Sequence, residues 1–274
     1  MLKDLIGLGP VEIARRAVKW VLFYVLCRGS LPRYYALRSR VIIELAKRNL
    51  YESAELHFLE RCVPVGGVAI DVGANFGVYT TRLANLVGSG GRVYAFEPLG
   101  RVYDALVETV KPCPQVSHFK QGISDRTAGA VEFKIPLLFG EIPEPALATV
   151  SDSSAMKHSI ERAEVIHLDS LAPQISRLDF VKIDVEGHEL HCLEGARELL
   201  VTHRPIIQFE ENKPVTRMHL FERFAEELDY RVCKLTSQGF LIPIRTAHRI
   251  DETYNFYLVP YERAEEFGPP SRQR

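Results

Sequence analysis

The stretch Val68-Ala-Ile-Asp71-Val-Gly73-Ala-Asn75-Phe-Gly77-Val-Tyr79 constrains the fold more than any other. A β-branched apolar run ends at an acid, crosses two glycines four residues apart and opens into helical spacing at Tyr79, Leu83, Leu86 and Val87. The pattern predicts a buried strand, a tight turn and a helix N-terminus. In open α/β sheets such a junction binds nucleotide-like ligands, because glycine admits a ligand close to the backbone and unpaired N–H groups point at it.

The chain around this stretch reads as alternating strands and helices. After Gly88-Ser-Gly-Gly91, a second strand covers Arg92–Phe96 and ends in Glu97-Pro98. Its distance from the first strand is that of a βαβ unit, so the two should be parallel neighbours with a right-handed crossover. A helix over Arg101–Val110 and a strand over Val116–Lys120 follow. Gly129–Ile135 and Glu164–Leu168 alternate as a rim strand pair. Pro136–Arg162, rich in Pro, Ser and Ala, is long for a plain connection and reads as a lid or binding loop or, equally, as a variable surface excursion. The fourth strand is Asp179–Asp184, and Glu186 opens the next helix. Pro205–Phe209 is the fifth strand, leading into Glu210-Glu211, and Thr216–Leu228 is a helix. Three β segments close the chain at Arg231–Leu235, Gly239–Ile244 and Phe256–Val259, the last two as an antiparallel edge hairpin. The fold class is α/β, a mostly parallel sheet preceded by N-terminal helices that break at Gly29–Pro32. Residues 1–51 form the helical extension, 52–262 one domain, and 263–274 a disordered tail.

With 34 basic and 35 acidic residues, no net field recruits nucleic acid or an anionic membrane, and no nucleic-acid partner is expected. The five cysteines are odd in number and widely spaced, a poor disulfide framework and zinc site that suits a reducing, cytoplasmic setting. Ala17–Cys27 is apolar apart from Lys19 but too short to span a bilayer, which takes about 20 apolar residues. It reads as a helix packed on the domain. The alternative is peripheral membrane contact through residues 11–27, with Trp20, Phe23 and Tyr24 at the surface and Arg15, Arg16 and Lys19 near head groups.

Acids stand at the carboxyl ends of three predicted parallel strands: Asp71, Glu97, and Asp184 with Glu186. That edge is where open α/β sheets bind ligands. Glu97, twenty residues beyond Gly77, is placed to accept both hydrogen bonds of a ribose diol. NAD would ask for an acid in the same place, so the glycine loop has to decide. It carries two glycines rather than G-x-G-x-x-G, and an acid leads it. That charge repels a pyrophosphate and suits a ligand with an ammonium or sulfonium, such as S-adenosylmethionine. An NAD-binding enzyme and an inactive scaffold are the alternatives.

The segments Asp71–Gly77, Ala95–Pro98, Leu168–Leu171 and above all Val-Lys-Ile-Asp-Val-Glu-Gly-His-Glu-Leu at 181–190 resemble the FkbM family of S-adenosylmethionine-dependent methyltransferases, in motif order over about residues 52–260. The resemblance implies a class I methyltransferase, Rossmann-like sheet of seven strands. It also implies methyl transfer to a hydroxyl of a sugar, polyketide or similar scaffold, so the expected partner is a small-molecule or glycan acceptor. By position, Asp71, Gly73, Ala74, Asn75 and Gly77 match the cofactor loop, and Glu97 with Pro98 the ribose acid. Gly122 falls where adenine is contacted, although Gln121-Gly122 departs from the small-residue pattern there.

Methyl transfer to oxygen requires an acceptor held in line and a base for its proton. Asp184, Glu186, His188 and Glu210 stand at the mouth. His188 is the first choice of base, having the ordinary pKa nearest neutrality. Asp184 is expected to touch the cofactor's amino group or the acceptor hydroxyl. Asp184, Glu186 and Glu210 are the alternative set of oxygen ligands for Mg²⁺ or Ca²⁺, but no metal is expected. His188 and His191 lack the HExxH spacing of a zinc site.

Overall fold

The computed structural model describes residues 18, 21, 25–27, 29–48, 53–138, 142–144, 148–150, 157–211, 214–244 and 255–269. Helix α1 (Leu31–Lys47) carries Pro32 as its second residue, so this proline starts a helix rather than breaking one. Then follow α2 (Ser53–Cys62), β1 (Val68–Val72), α3 (Val78–Val87), β2 (Arg92–Phe96), α4 (Gly100–Val110), β3 (Val116–Phe119), β4 (Gly122–Ile123), β5 (Ala128–Leu138), β6 (Ile142–Pro143) and β7 (His158–Ile166). A 3₁₀ turn (Leu168–Gln174) leads into β8 (Phe180–Ile183), α5 (Glu189–Glu194), α6 (Arg197–His203), β9 (Ile206–Glu210), α7 (Pro214–Glu227), β10 (Tyr230–Leu235), β11 (Leu241–Pro243), β12 (Asn255–Pro260) and α8 (Ala264–Phe267).

The main sheet runs β11-β10-β12-β9-β8-β1-β2-β3. β3, β2, β1, β8 and β9 are parallel, while β12 lies antiparallel between β9 and β10. Seven strands were expected and eight are present, β11 being an added edge strand on β10. The expected pairing of the last two strands is corrected: β12 does not pair with β11. Its Phe256–Pro260 run is buried throughout, which calls for neighbours on both sides, whereas the three residues of β11 suit an edge.

Period-two alternation divides the sheet's core. Ile70, Val72, Val181, Ile183, Ile207 and Phe209 pack with Leu193, Leu199 and Phe221 on the side of α5–α7. Ala69, Val93, Phe180 and Ile206 pack with Phe58, Leu59, Leu83 and Val87 of α2 and α3. Residue 263 was expected to begin a disordered tail, but α8 buries Phe267 against Phe58, their ring centroids 5.8 Å apart. The end of the tail lies outside the described residues.

A second sheet, β4-β7-β5-β6, stands beside the first. The rim pair is therefore present as β5 and β7, but the excursion between them is shorter than 136–162. β5 continues to Leu138 and β7 starts at His158. Thr149 bridges back to Lys134. In the N-terminal stretch, Val18, Val21, Val25 and Leu26 are exposed and Cys27 is buried, while Trp20, Phe23 and Tyr24 lie outside the described residues. Among the described residues no helix is long and apolar enough to cross a membrane.

Candidate active site

The loop after β1 is stitched to the end of β2, since the Gly73 and Ala74 N–H groups both donate to Phe96 O, at 3.0 and 2.9 Å. Gly73 has φ 78°, and a Cβ there would stand 1.9 Å from the carbonyl oxygen of Asp184. Gly77 has φ 84°, and its Cβ would meet Leu106 Cδ1 at 2.9 Å. The immediate need for both glycines is thus close packing against the β8 exit and α4, a reason the sequence did not reveal. Asn75 also adopts a left-handed conformation, with φ 50°. Its amide N–H donates to Glu97 Oε2 at 3.0 Å, while its own Oδ1 is buried without a partner.

Glu97, 5 % exposed, also accepts the Leu99 N–H on Oε1 at 2.9 Å. Burial pushes its pKa up to about 7, against the two N–H donors, and Glu161 and Asp71 add to the rise. Asp71 is placed differently from the expectation that it meets the ligand. It lies under α3, where Thr80 Oγ1 donates to Oδ2 at 2.6 Å. Its pKa rises to about 6 through burial, opposed by Thr80 and Lys182. Register sets Asp71, Lys182 and Gln208 side by side across β1, β8 and β9. Lys182, 2 % exposed, reaches Asp184 Oδ2 at 3.0 Å and lies 4.6 Å from the Tyr79 ring centroid.

A mostly apolar slot opens beside the loop, with Gly73, Phe96, Pro98, Gly122, Phe133 and His188 in its walls. A Cβ at Gly122 would stand 3.0 Å from Phe133 Cζ and Val165 Cγ1, so glycine keeps this wall flat. Phe133, Ala148 and Val150 also line the slot and were missed, although the alternation of Val131, Phe133 and Ile135 was the available signal. His188 Nε2 lies 2.9 Å from Ser124 Oγ, and its ring stacks on His191 with centroids 4.4 Å apart. Burial first, then His191, lowers its pKa to about 4.

Asp184, Glu186 and Glu210 have ligand atoms within 4.8 Å of one another. The structure thus gathers the carboxylates and sets His188 in the slot wall. The helix expected from Glu186 begins at Glu189, because Glu186 and Gly187 take left-handed φ values of 51° and 96°. Glu189 closes this turn: its buried Oε1 accepts the Gly187 N–H at 2.9 Å. Burial raises its pKa to about 7 against that bond.

S-adenosylmethionine fits these residues. The slot offers a flat apolar wall for adenine and Glu97 a diol acceptor, while the orphaned Asn75 Oδ1 needs a donor that the fold does not supply.

Comparison with known proteins agrees. The family model described as "Methyltransferase FkbM domain" matches residues 71–241. The probable cobalt-precorrin-6B C(15)-methyltransferase (decarboxylating) of Pyrobaculum calidifontis is 29 % identical over 147 residues, 48 % of this chain and 70 % of that protein. The hexuronic acid methyltransferase AglP of Haloferax volcanii is 29 % identical over 133 residues, 47 % of this chain, which spans half of AglP. Among solved structures, methyltransferase FkbM from Methylobacillus flagellatus has a TM-score of 0.48 at 17 % identity, covering 82 % of this chain and 53 % of that one. With the Asp71–Gly77 loop, Glu97 and the 181–190 block inside the matched region, the chain belongs to the FkbM family of S-adenosylmethionine-dependent methyltransferases.

Proposed function

We propose that the protein is an O-methyltransferase acting on a hydroxyl of a sugar, polyketide or related scaffold. The observation that carries the reading is the carboxylate group of Asp184, Glu186 and Glu210, of which Asp184 and Glu186 flank Val185, a residue that lines the slot. When bound, S-adenosylmethionine supplies an electrophilic methyl group. The chain's own task is to orient the acceptor hydroxyl and take its proton. Lys182 Nζ donates to Asp184 Oδ2 at 3.0 Å and so fixes a carboxyl group suited to orienting a hydroxyl or an ammonium. Glu186, on a left-handed turn at the mouth, is our choice of base. His188 loses that role in this reading, because its Nε2 is engaged with Ser124 Oγ. The relative named as a hexuronic acid methyltransferase supports a glycan acceptor.

Glu186→Gln is expected to lower turnover about 100-fold with S-adenosylhomocysteine affinity within about threefold of wild type. His188→Gln should do the reverse, weakening the slot while sparing turnover at saturation. Steady-state kinetics with calorimetry check both, and a turnover loss confined to His188→Gln would return the base to the imidazole. The function itself is tested by incubating the protein with S-adenosylmethionine and a panel of hexuronic glycosides, neutral sugars and polyketide alcohols, followed by mass spectrometry. An oxygen-linked methyl on one class supports the proposal. Methyl gain only on carbon, or none on any hydroxyl, counts against it.

For the N-terminal stretch we retain the proposal of peripheral membrane contact, supported by the exposed Val18, Val21, Val25 and Leu26.

A further inference from the structure

Helix α1 precedes the matched region, yet it reaches the cofactor site. Arg38 Nη1 lies 2.5 Å from Glu144 Oε1, with the arginine largely buried and the glutamate 1 % exposed. The same guanidinium sits over the Phe76 ring, 5.4 Å from its centroid, and Tyr35 packs on Phe76 from the same helix at 6.1 Å. Phe76 is in the cofactor loop, between Asn75 and Gly77. Glu144 belongs to the excursion between β5 and β7, whose Ala148 and Val150 line the slot. That excursion is tied to β5 by the Glu144 N–H to Pro136 O at 2.9 Å and by the paired Lys134 and Thr149 backbones. Cys27, Tyr34, Tyr35, Phe76, Phe133 and Val165 share one apolar cluster, with Ala148 and Val150 packed against it.

We infer that Arg38 and Glu144 are positioning residues for cofactor binding: their ion pair fastens the excursion to α1 beside Phe76 and so fixes Ala148 and Val150 as a wall of the adenine slot. A buried carboxylate needs such a partner, and the Nη1–Oε1 contact holds Glu144 at one place on α1. The pair thereby selects one placement of the excursion. The inference rests on the methyltransferase reading.

The test is calorimetry of the full chain with S-adenosylhomocysteine and with 5′-methylthioadenosine, which lacks the amino-acid end. Glu144→Gln is expected to weaken both ligands by a common factor of about ten, and Arg38→Lys to keep both within about threefold. A variant carrying Arg38→Glu with Glu144→Arg should recover part of the loss. A merely structural pair would lower the thermal midpoint without this shared ligand effect or its rescue. If Glu144→Gln does not fold, the double variant Arg38→Met with Glu144→Leu replaces it, with the same shared loss expected. Folded variants that bind both ligands as wild type does, or that lose only S-adenosylhomocysteine, overturn the inference. Wild-type protein that binds neither ligand overturns the methyltransferase reading instead.

Discussion

Glu97→Ala is expected to lower affinity for S-adenosylhomocysteine by about 100-fold or more, because two charge-assisted hydrogen bonds to a ribose diol are each worth about 1.5–3 kcal/mol. The carboxylate also holds the cofactor loop. Its two oxygens accept the N–H groups of Asn75 and Leu99, so truncation leaves two loop donors without their acceptor. Glu97→Gln separates the effects, since one amide oxygen can accept one of these N–H groups while the amide nitrogen cannot accept the other. The same residue sets a pH dependence. Its pKa of about 7 means that the free protein is increasingly protonated there as pH falls, whereas a diol is bound by the anion. Affinity should therefore be greatest above pH 7 and fall about tenfold between pH 8 and pH 6, following the anionic fraction. Glu97→Gln should flatten the profile. Calorimetry across that range checks it, and a wild-type profile that is flat or rises toward acid would exclude Glu97 as the diol acceptor.

Gly73→Ala is the second large effect, expected on stability rather than on binding alone. The added methyl carbon would fall 1.9 Å from the Asp184 carbonyl oxygen, and both partners are backbone fixed in the sheet's edge. It would also place an L-residue at φ 78°, which by itself costs roughly 1–2 kcal/mol. Clash and strain together should cost about 4 kcal/mol or more, in the exceptional range for one substitution. Gly239 provides the control, with the same φ of 78° and nothing within 4 Å of its would-be Cβ. Gly239→Ala should show only the strain. Equal midpoint shifts in urea for the two variants would show that the Asp184 contact is not the reason for glycine at 73.

The contrast between these residues shows what the sequence made legible. The strand, turn and helix around Asp71–Gly77, the parallel pairing of β1 with β2, and the gathering of acids at one edge all follow from short-range patterns: β-branched runs, glycine punctuation and βαβ spacing. Glu97 was found because its distance from the loop is fixed by one crossover. Asp71 was expected to draw the positive end of the ligand, and the face its carboxylate takes is decided by the Thr80 contact from α3, which no local pattern encodes. Gly73 was recognised but for another reason, because the chain that crowds it comes from β8, more than 100 residues later. His188 was chosen for its ordinary pKa, and the burial that lowers it depends on Ser124 and His191 packing around it. The slot's Phe133 comes from β5 of a second sheet, and Ala148 and Val150 from the excursion that follows it, a placement set by long-range packing. The position of β12 between β9 and β10 is likewise a long-range choice, made by burial of both its faces.

The edge formed by Gly73, Asn75, Glu97 and Gly122 is expected to hold S-adenosylmethionine. Isothermal titration of the folded wild-type chain with S-adenosylhomocysteine tests it most directly. The account predicts one saturable site with a Kd of roughly micromolar order, lost in Glu97→Ala. Absence of heat at high micromolar ligand, or binding that survives Glu97→Ala unchanged, would contradict it.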